Sequence, residues 1–182
     1  LDPHAELTAR VPVRSFTDVL DTEPELGFEP MPFDAPGFIL YSSGTTGVPK
    51  CLVHRGAGFL LKHASEQRWH LDVRPGDRAF WFTTCGWMMW NWLVSTLAAG
   101  ATLVLYDGSP FHPEPDHLWR IAQEEQVTLF GVSAKYLDAC AKQSLRPAQQ
   151  YQLDSLRTVG STGSPLSPEG FAYVYEHVKP DV

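Results

Sequence analysis

From Gly37 onward the sequence predicts an α/β fold, with a mostly parallel sheet covered by helices on both faces. Two observations predict it. Short apolar, β-branched and aromatic runs alternate with longer segments whose apolar residues recur at helical spacing. Glycine, proline and serine stand where those segments should start or stop. Strands that alternate with helices are joined most simply as parallel neighbours with the helices packed above and below them.

Each element follows from its own residues. Phe38–Ser42 and Cys51–His54 read as strands on either side of a polar loop. Residues 56–70 read as a helix, with Phe59, Leu60, His63 and Gln67 at helical spacing. Arg78–Thr83 reads as a strand, and Trp87–Ala99 as an almost wholly apolar helix stopped by Gly100. Thr102–Tyr106 is β-branched and apolar. Pro113–Gln126 reads as a helix, Val127–Phe130 as a strand and Ala134–Gln143 as a helix. Leu156–Val159 is the last expected strand. Ser167–Val178 is the last helix, with Ser167 as N-cap and Pro168 in its first turn.

Residues 1–36 differ in kind. They hold six prolines and eight acids against two arginines, a local balance of −6 out of −7 for the chain. An irregular lead-in is expected there, with at most one short element near Ser15–Leu20, and a domain from 37 to 182. A length of 182 residues fits one domain with a real core. The acidic balance argues against nucleic acid. No apolar run approaches the ~20 residues of a membrane span, and no leader segment is legible. Cys51, Cys85 and Cys140, odd in number and far apart, suit reduced thiols in the cytoplasm. The chain starts without methionine and ends on Lys179-Pro180-Asp181-Val182, so a piece of a longer protein is expected.

The loop between the first two strands carries the strongest chemical signal. Ser42, Ser43, Thr45 and Thr46 supply hydroxyls, while Gly44 and Gly47 let backbone N–H groups turn toward an anion. Lys50 is the only charged side chain between Asp34 and His54. A lone cation among neutral donors suits a polyphosphate. The spacing is not that of a Walker A loop, because Gly44 is not followed by four residues and then Gly-Lys-Ser/Thr opening a helix. A Ser/Thr/Gly hairpin without a ligand is the plain alternative.

Two further segments follow predicted strands, where ligands bind in open α/β sheets. In Thr83-Thr84-Cys85-Gly86-Trp87-Met88-Met89-Trp90-Asn91-Trp92, core packing is expected for Trp90 and Trp92. Pocket lining is expected for Trp87, Met88 and Met89 at the helix mouth. Gly160-Ser161-Thr162-Gly163-Ser164-Pro165 is a glycine-rich turn before a capped helix, and composition alone reads it as an ordinary loop. The histidines lack metal-ligand spacing, and a Gly-x-Ser-x-Gly elbow is absent.

Tyr41-Ser-Ser-Gly-Thr-Thr-Gly-Val-Pro-Lys50 resembles the phosphate-binding signature of the adenylate-forming enzymes, which include acyl-CoA synthetases, luciferases and peptide-synthetase adenylation domains. Only the last place departs from it, where Cys51 stands for glycine. The Gly-Trp turn resembles the acetyl-CoA synthetase branch, and the two later motifs together look most like its acetoacetate-activating members. The resemblance implies a fragment of the large N-terminal domain of such an enzyme, covering roughly 37–178, with ATP, Mg²⁺ and CoA as cofactors and co-substrates. It implies phosphate binding by Ser42, Ser43, Gly44, Thr45, Thr46, Gly47 and Lys50, with Lys50 catalytic and Ser42 near Mg²⁺. It implies adenine binding by Gly163, Ser164 and Pro165, although Ser164 stands where an acid is usual, and an acyl pocket of Trp87, Met88, Met89 and Thr162. The expected substrate is acetoacetate. Acetate, propionate, a longer acid or mere nucleotide binding are the alternatives. The family's metal-binding glutamate, ribose-binding aspartate and small C-terminal domain with a second lysine are not found within Leu1–Val182, so this stretch alone is expected to be inactive.

Overall fold

The computed structural model describes Thr17, residues 27–42 and residues 47–182; the predicted element near Ser15–Leu20 falls almost wholly outside these. The chain divides into Leu1–Pro32 and Phe33–Val182. All that follows concerns the second unit.

Its centre is a four-stranded sheet in the order β4-β3-β5-β6, built from β3 (Arg78–Trp81), β4 (Thr102–Val104), β5 (Leu129–Ser133) and β6 (Thr158–Thr162). All its pairings are parallel. The helices are α1 (Gly56–Trp69), α2 (Met88–Ser95), α3 (His117–Glu124), α4 (Ala134–Lys142), α5 (Pro147–Gln150) and α6 (Pro168–Tyr173). Side chains alternate across the sheet, as the two-residue repeat of a strand demands. Phe80, Phe130 and Val132 join Trp119, Leu137 and Cys140 in one core cluster. Ala79, Trp81 and Leu129 join Val73, Trp92 and Leu93 in another. The expected α/β architecture, with a parallel sheet and helices on both faces, is the one observed.

The first two strands are a separate matter. β1 (Pro36–Ser42) and β2 (Lys50–Arg55) form an antiparallel two-stranded sheet of their own, with Ile39 opposite Val53 and Ser42 opposite Lys50. The strand–loop–strand reading holds, but the parallel alternation begins only at β3.

Several boundaries moved for local reasons. The expected helix Trp87–Ala99 runs as α2 to Ser95 and finishes as a tighter 3₁₀ turn, Thr96–Ala99. Ser95 Oγ donates to the Trp92 carbonyl at 2.7 Å and Thr96 Oγ1 to that of Leu93 at 2.7 Å. Hydroxyls bonding back onto the previous turn compete with regular helical hydrogen bonds. Gly100 then closes the helix with φ of 78°. The helix expected from Pro113 starts at His117, since residues before Pro113 and Pro115 disfavour helical backbone. Ser167 Oγ accepts from Gly170 N at 3.1 Å, the cap read from the sequence.

Arg157, just before β6, is tied to Asp77, just before β3. Its guanidinium donates through Nη1 and Nη2 to both Asp77 oxygens at 2.8 Å. Burial alone would raise the Asp77 pKa, but the Arg157 hydrogen bonds and the Arg74 N–H hold the carboxyl below its ordinary value. This fork ties β3 to β6 at the amino edge of the sheet; the turns that follow the strands lie at the opposite, carboxyl edge, where ligands bind in open α/β sheets.

The three cysteines are free, Cys51 and Cys85 exposed and Cys140 buried among Trp119, Tyr136 and Tyr173. Burial pushes the Cys140 thiol pKa up, and the thiolate is the reactive form. Titration with a chromogenic disulfide should therefore give two fast thiols and a third that reacts only on unfolding. A fast third thiol would contradict the packing around Cys140.

Candidate functional site

Parallel strands bring the turns after β3, β4, β5 and β6 to one edge. The turn after β3 runs through Thr83-Thr84-Cys85-Gly86 to Trp87, which caps α2 and remains 69% exposed. It faces the β1–β2 hairpin across a cavity of about 730 Å³ whose lining includes Leu40, Tyr41, Leu52, Cys85, Trp87 and Met88. Trp87 and Met88 line this cavity at the mouth of α2. Met89 is half-buried and packs against the cluster of Trp81 and Trp92, outside that lining. Trp92 is buried as expected, whereas Trp90 lines a second cavity of about 460 Å³ with Thr83, Thr84, Tyr106 and Asp107.

The polar loop hangs from the hairpin end. Ser42 closes β1 and Lys50 opens β2, directly opposite each other. Ser43, Gly44, Thr45 and Thr46 lie outside the described residues. Gly47 has φ of 148°. Lys50 is exposed and forms no ion pair among the described residues. Its ammonium is therefore available to an anion at the same end of the hairpin as Ser42. Tyr41, next to Ser42, lines the cavity that Trp87 and Met88 bound.

The third motif sits farther along the edge. Thr162 ends β6, half-buried and opposite Ser133, and Gly163-Ser164-Pro165 forms an exposed turn beyond it. Gly163 has φ of 88°, which L side chains rarely adopt. β3 and β6 are separated by β5, so their ends lie about 10 Å apart at the usual strand spacing. That distance suits one ligand spanning both turns.

The shelf beneath these turns was not legible. Trp81, Gly131 and Gly160 share one row of the sheet. The Trp81 indole lies flat across the two glycines. A Cβ at Gly131 would stand 2.1 Å from the ring, and one at Gly160 2.7 Å from it. Trp92 packs on the same indole with centroids 5.2 Å apart. Gly160, read from the sequence as part of a turn that lets backbone approach a ligand, lies inside β6 and makes room for this ring. The signal available was a glycine directly after each of two predicted strands; glycine within a strand marks close approach of another group, and the strands in fact continue through both.

Behind Met88, α1 and α2 are joined by a buried polar contact. His63 Nδ1 lies 3.0 Å from Ser95 Oγ, and Gln67 Nε2 donates to Ser95 Oγ at 2.8 Å and to the Trp92 carbonyl at 3.0 Å. Burial lowers the His63 pKa, so the ring is neutral near pH 7. This histidine is structural. A groove of about 710 Å³ along α1, lined by Leu60, Leu61, Ala64 and Val73 among others, contains none of the predicted site residues.

Among the described residues no group of three His, Cys, Asp or Glu could hold a metal ion. Ser42 offers a single hard oxygen. That fits Mg²⁺ carried by nucleotide phosphates, which commonly takes only one or two protein ligands. Among the described residues no helix is long and apolar enough to cross a membrane.

The pattern of the AMP-binding enzyme family matches residues 6–181. The chain belongs to the AMP-binding enzyme family. Within that family it is 60% identical over 157 residues to the acetoacetyl-coenzyme A synthetase of Rhizobium meliloti (strain 1021), covering 86% of this chain and 24% of that protein. It is 45% identical over 166 residues to a malonamoyl-CoA synthetase of Penicillium aethiopicum, covering 84% of this chain and 23% of that protein. The fold matches the solved acetoacetyl-CoA synthetase from Streptomyces lividans with a TM-score of 0.83 at 47% identity, over 88% of this chain and 25% of that one. The chain thus spans about a quarter of the length of these relatives.

Proposed function

We propose that this chain is part of an ATP-dependent, AMP-forming acid–CoA ligase acting on acetoacetate. The observation that carries the reading is the cavity bounded by Trp87 and Met88 on one side and by the strand ending in Ser42 on the other, with Lys50 opposite Ser42. The identity to acetoacetyl-coenzyme A synthetases supports the choice of acid.

The reaction has two steps. A carboxylate oxygen attacks the α-phosphorus of ATP; an O–P bond forms, and the bond to pyrophosphate breaks. The CoA thiol, losing its proton, then attacks the acyl carbon and displaces AMP. In the first step an anion attacks a polyanion, so catalysis rests on positioning and charge stabilisation. Lys50 and the loop N–H groups from Ser43 to Gly47 hold the phosphates, with Lys50 countering charge on the departing pyrophosphate. The Ser42 hydroxyl is offered to Mg²⁺, which when bound neutralises phosphate charge. Gly163, Ser164 and Pro165 receive the adenine edge. Trp87, Met88 and Thr162 bound the acyl group, and Met89 supports them from the core side. Free thiols at Cys51 and Cys85 suit a reducing compartment such as the cytoplasm.

ATP–pyrophosphate exchange tests the reading. The full-length protein, at the length of its relatives, should exchange fastest with acetoacetate among acetoacetate, acetate, propionate, butyrate and octanoate, while residues 1–182 alone should not exchange. Exchange led by another acid would move the substrate. Absence of exchange with every acid would remove the ligase reading.

A further inference from the structure

We propose that Asn91 is a further specificity-determining residue, whose side-chain amide donates a hydrogen bond to the 3-oxo group of the acyl substrate. This rests on the acetoacetate reading above. Asn91 lies on α2 three residues after Met88, so the two share one helix face. Both line the 730 Å³ cavity beside Trp87 and a smaller one of about 290 Å³ behind it. The wall common to the two cavities consists of Phe38, Leu40, Met88 and Asn91. Three of these are apolar, so the amide is the single polar group on that wall.

Three of the neighbouring polar groups are occupied. Around the smaller cavity Lys62 pairs with Glu66 at 2.7 Å, and His63 is held by Ser95. Asn91 is half-buried, and its amide has no hydrogen-bond partner among the described residues. His54, also without one, is exposed on β2 and lines only the smaller cavity. A half-buried amide facing an apolar cavity loses hydrogen bonds to water unless a ligand replaces them.

The direction of the acid fits this placement. Its carboxylate must meet the nucleotide, placed above at the hairpin end beyond Tyr41. The chain then runs along Leu40 and Met88 toward α2, where Asn91 lies. A 3-oxo group accepts hydrogen bonds and cannot donate them, so the amide NH₂ is the matching half. An apolar wall separates acids differing by one small group by only about 10- to 200-fold, and often less. A polar group left unpaired by the wrong acid adds discrimination. The acetoacetyl and malonamoyl groups in the relatives' names both carry a second carbonyl at position 3, which one amide donor could serve.

The experiment compares acetoacetate with butyrate, which has the same chain length without the 3-oxo group. AMP release by the full-length protein gives kcat/KM for each acid in wild type, Asn91→Leu and Asn91→Asp. The expected result is a 10- to 100-fold loss with acetoacetate in both variants, with butyrate held within about threefold in the Leu variant. Asp matches Asn in shape but, ionised, only accepts. Full acetoacetate activity in Asn91→Asp would therefore overturn donation even if Asn91→Leu failed to fold. An equal loss for both acids would assign Asn91 to scaffolding and overturn the proposal. A wild type that does not prefer acetoacetate to butyrate would remove the substrate reading, and the proposal with it, before any variant was compared.

Discussion

Lys50→Ala in the full-length protein is expected to lower ATP–pyrophosphate exchange by about 10²- to 10³-fold, the usual consequence of removing one preorganised charge-stabilising donor. The loss should fall mainly on kcat, because charge on the departing pyrophosphate grows as the bond to it breaks. Folding should be unaffected. Lys50 is exposed at the first position of β2 and forms no ion pair among the described residues, so its removal strands no partner. A melting temperature within a few degrees of wild type is the matching control. Lys50→Arg should recover only part of the rate, since a planar guanidinium does not present its charge as a compact ammonium does. Near wild-type exchange by Lys50→Ala would take the phosphate role away from this residue.

What the sequence made legible is what short-range chemistry dictates. The Ser167 cap, the Gly100 stop, the hairpin joining Ser42 to Lys50 and the helix mouth at Trp87 each depend on a few adjacent residues. What stayed illegible depends on partners far along the chain. Val127–Phe130 and Leu156–Val159 were read as strands that stop before a glycine. The true strands run on through Gly131 and Gly160, because the Trp81 indole, 50 and 79 residues earlier in the chain, covers both. Met89 and Trp90 exchanged expected places for a similar reason. Helical spacing says which residues share a face, but only packed neighbours decide whether that face meets the core or a cavity. Asn91 was passed over because a single amide inside an apolar run carries no pattern. Its meaning appears only when Phe38, Leu40 and Met88 surround it.

Gly131→Val should be the most destabilising single change in the sheet. A Cβ there would lie 2.1 Å from two atoms of the Trp81 ring, well inside contact distance. The indole cannot step aside. It is 7% exposed, with Trp92 against it and Gly160 beneath its far edge. Valine's two methyls require the ring to leave the shelf or β5 to part from β3. Overpacking typically costs about 1–3 kcal/mol, and displacement of a buried tryptophan about 3–5 kcal/mol. A domain of this size is stable by only about 5–15 kcal/mol. The expected outcome is loss of soluble protein, or a melting temperature lower by roughly 10 °C or more. A second change isolates the cause. Trp81→Ala empties the shelf, so adding Gly131→Val to it should cost far less than Gly131→Val alone, a strongly non-additive cycle. If the two changes simply add, the glycine serves something other than the ring. If Gly131→Val melts like wild type, the indole does not lie where the fold puts it, and the floor under Thr162 and the turn after β3 must be built another way.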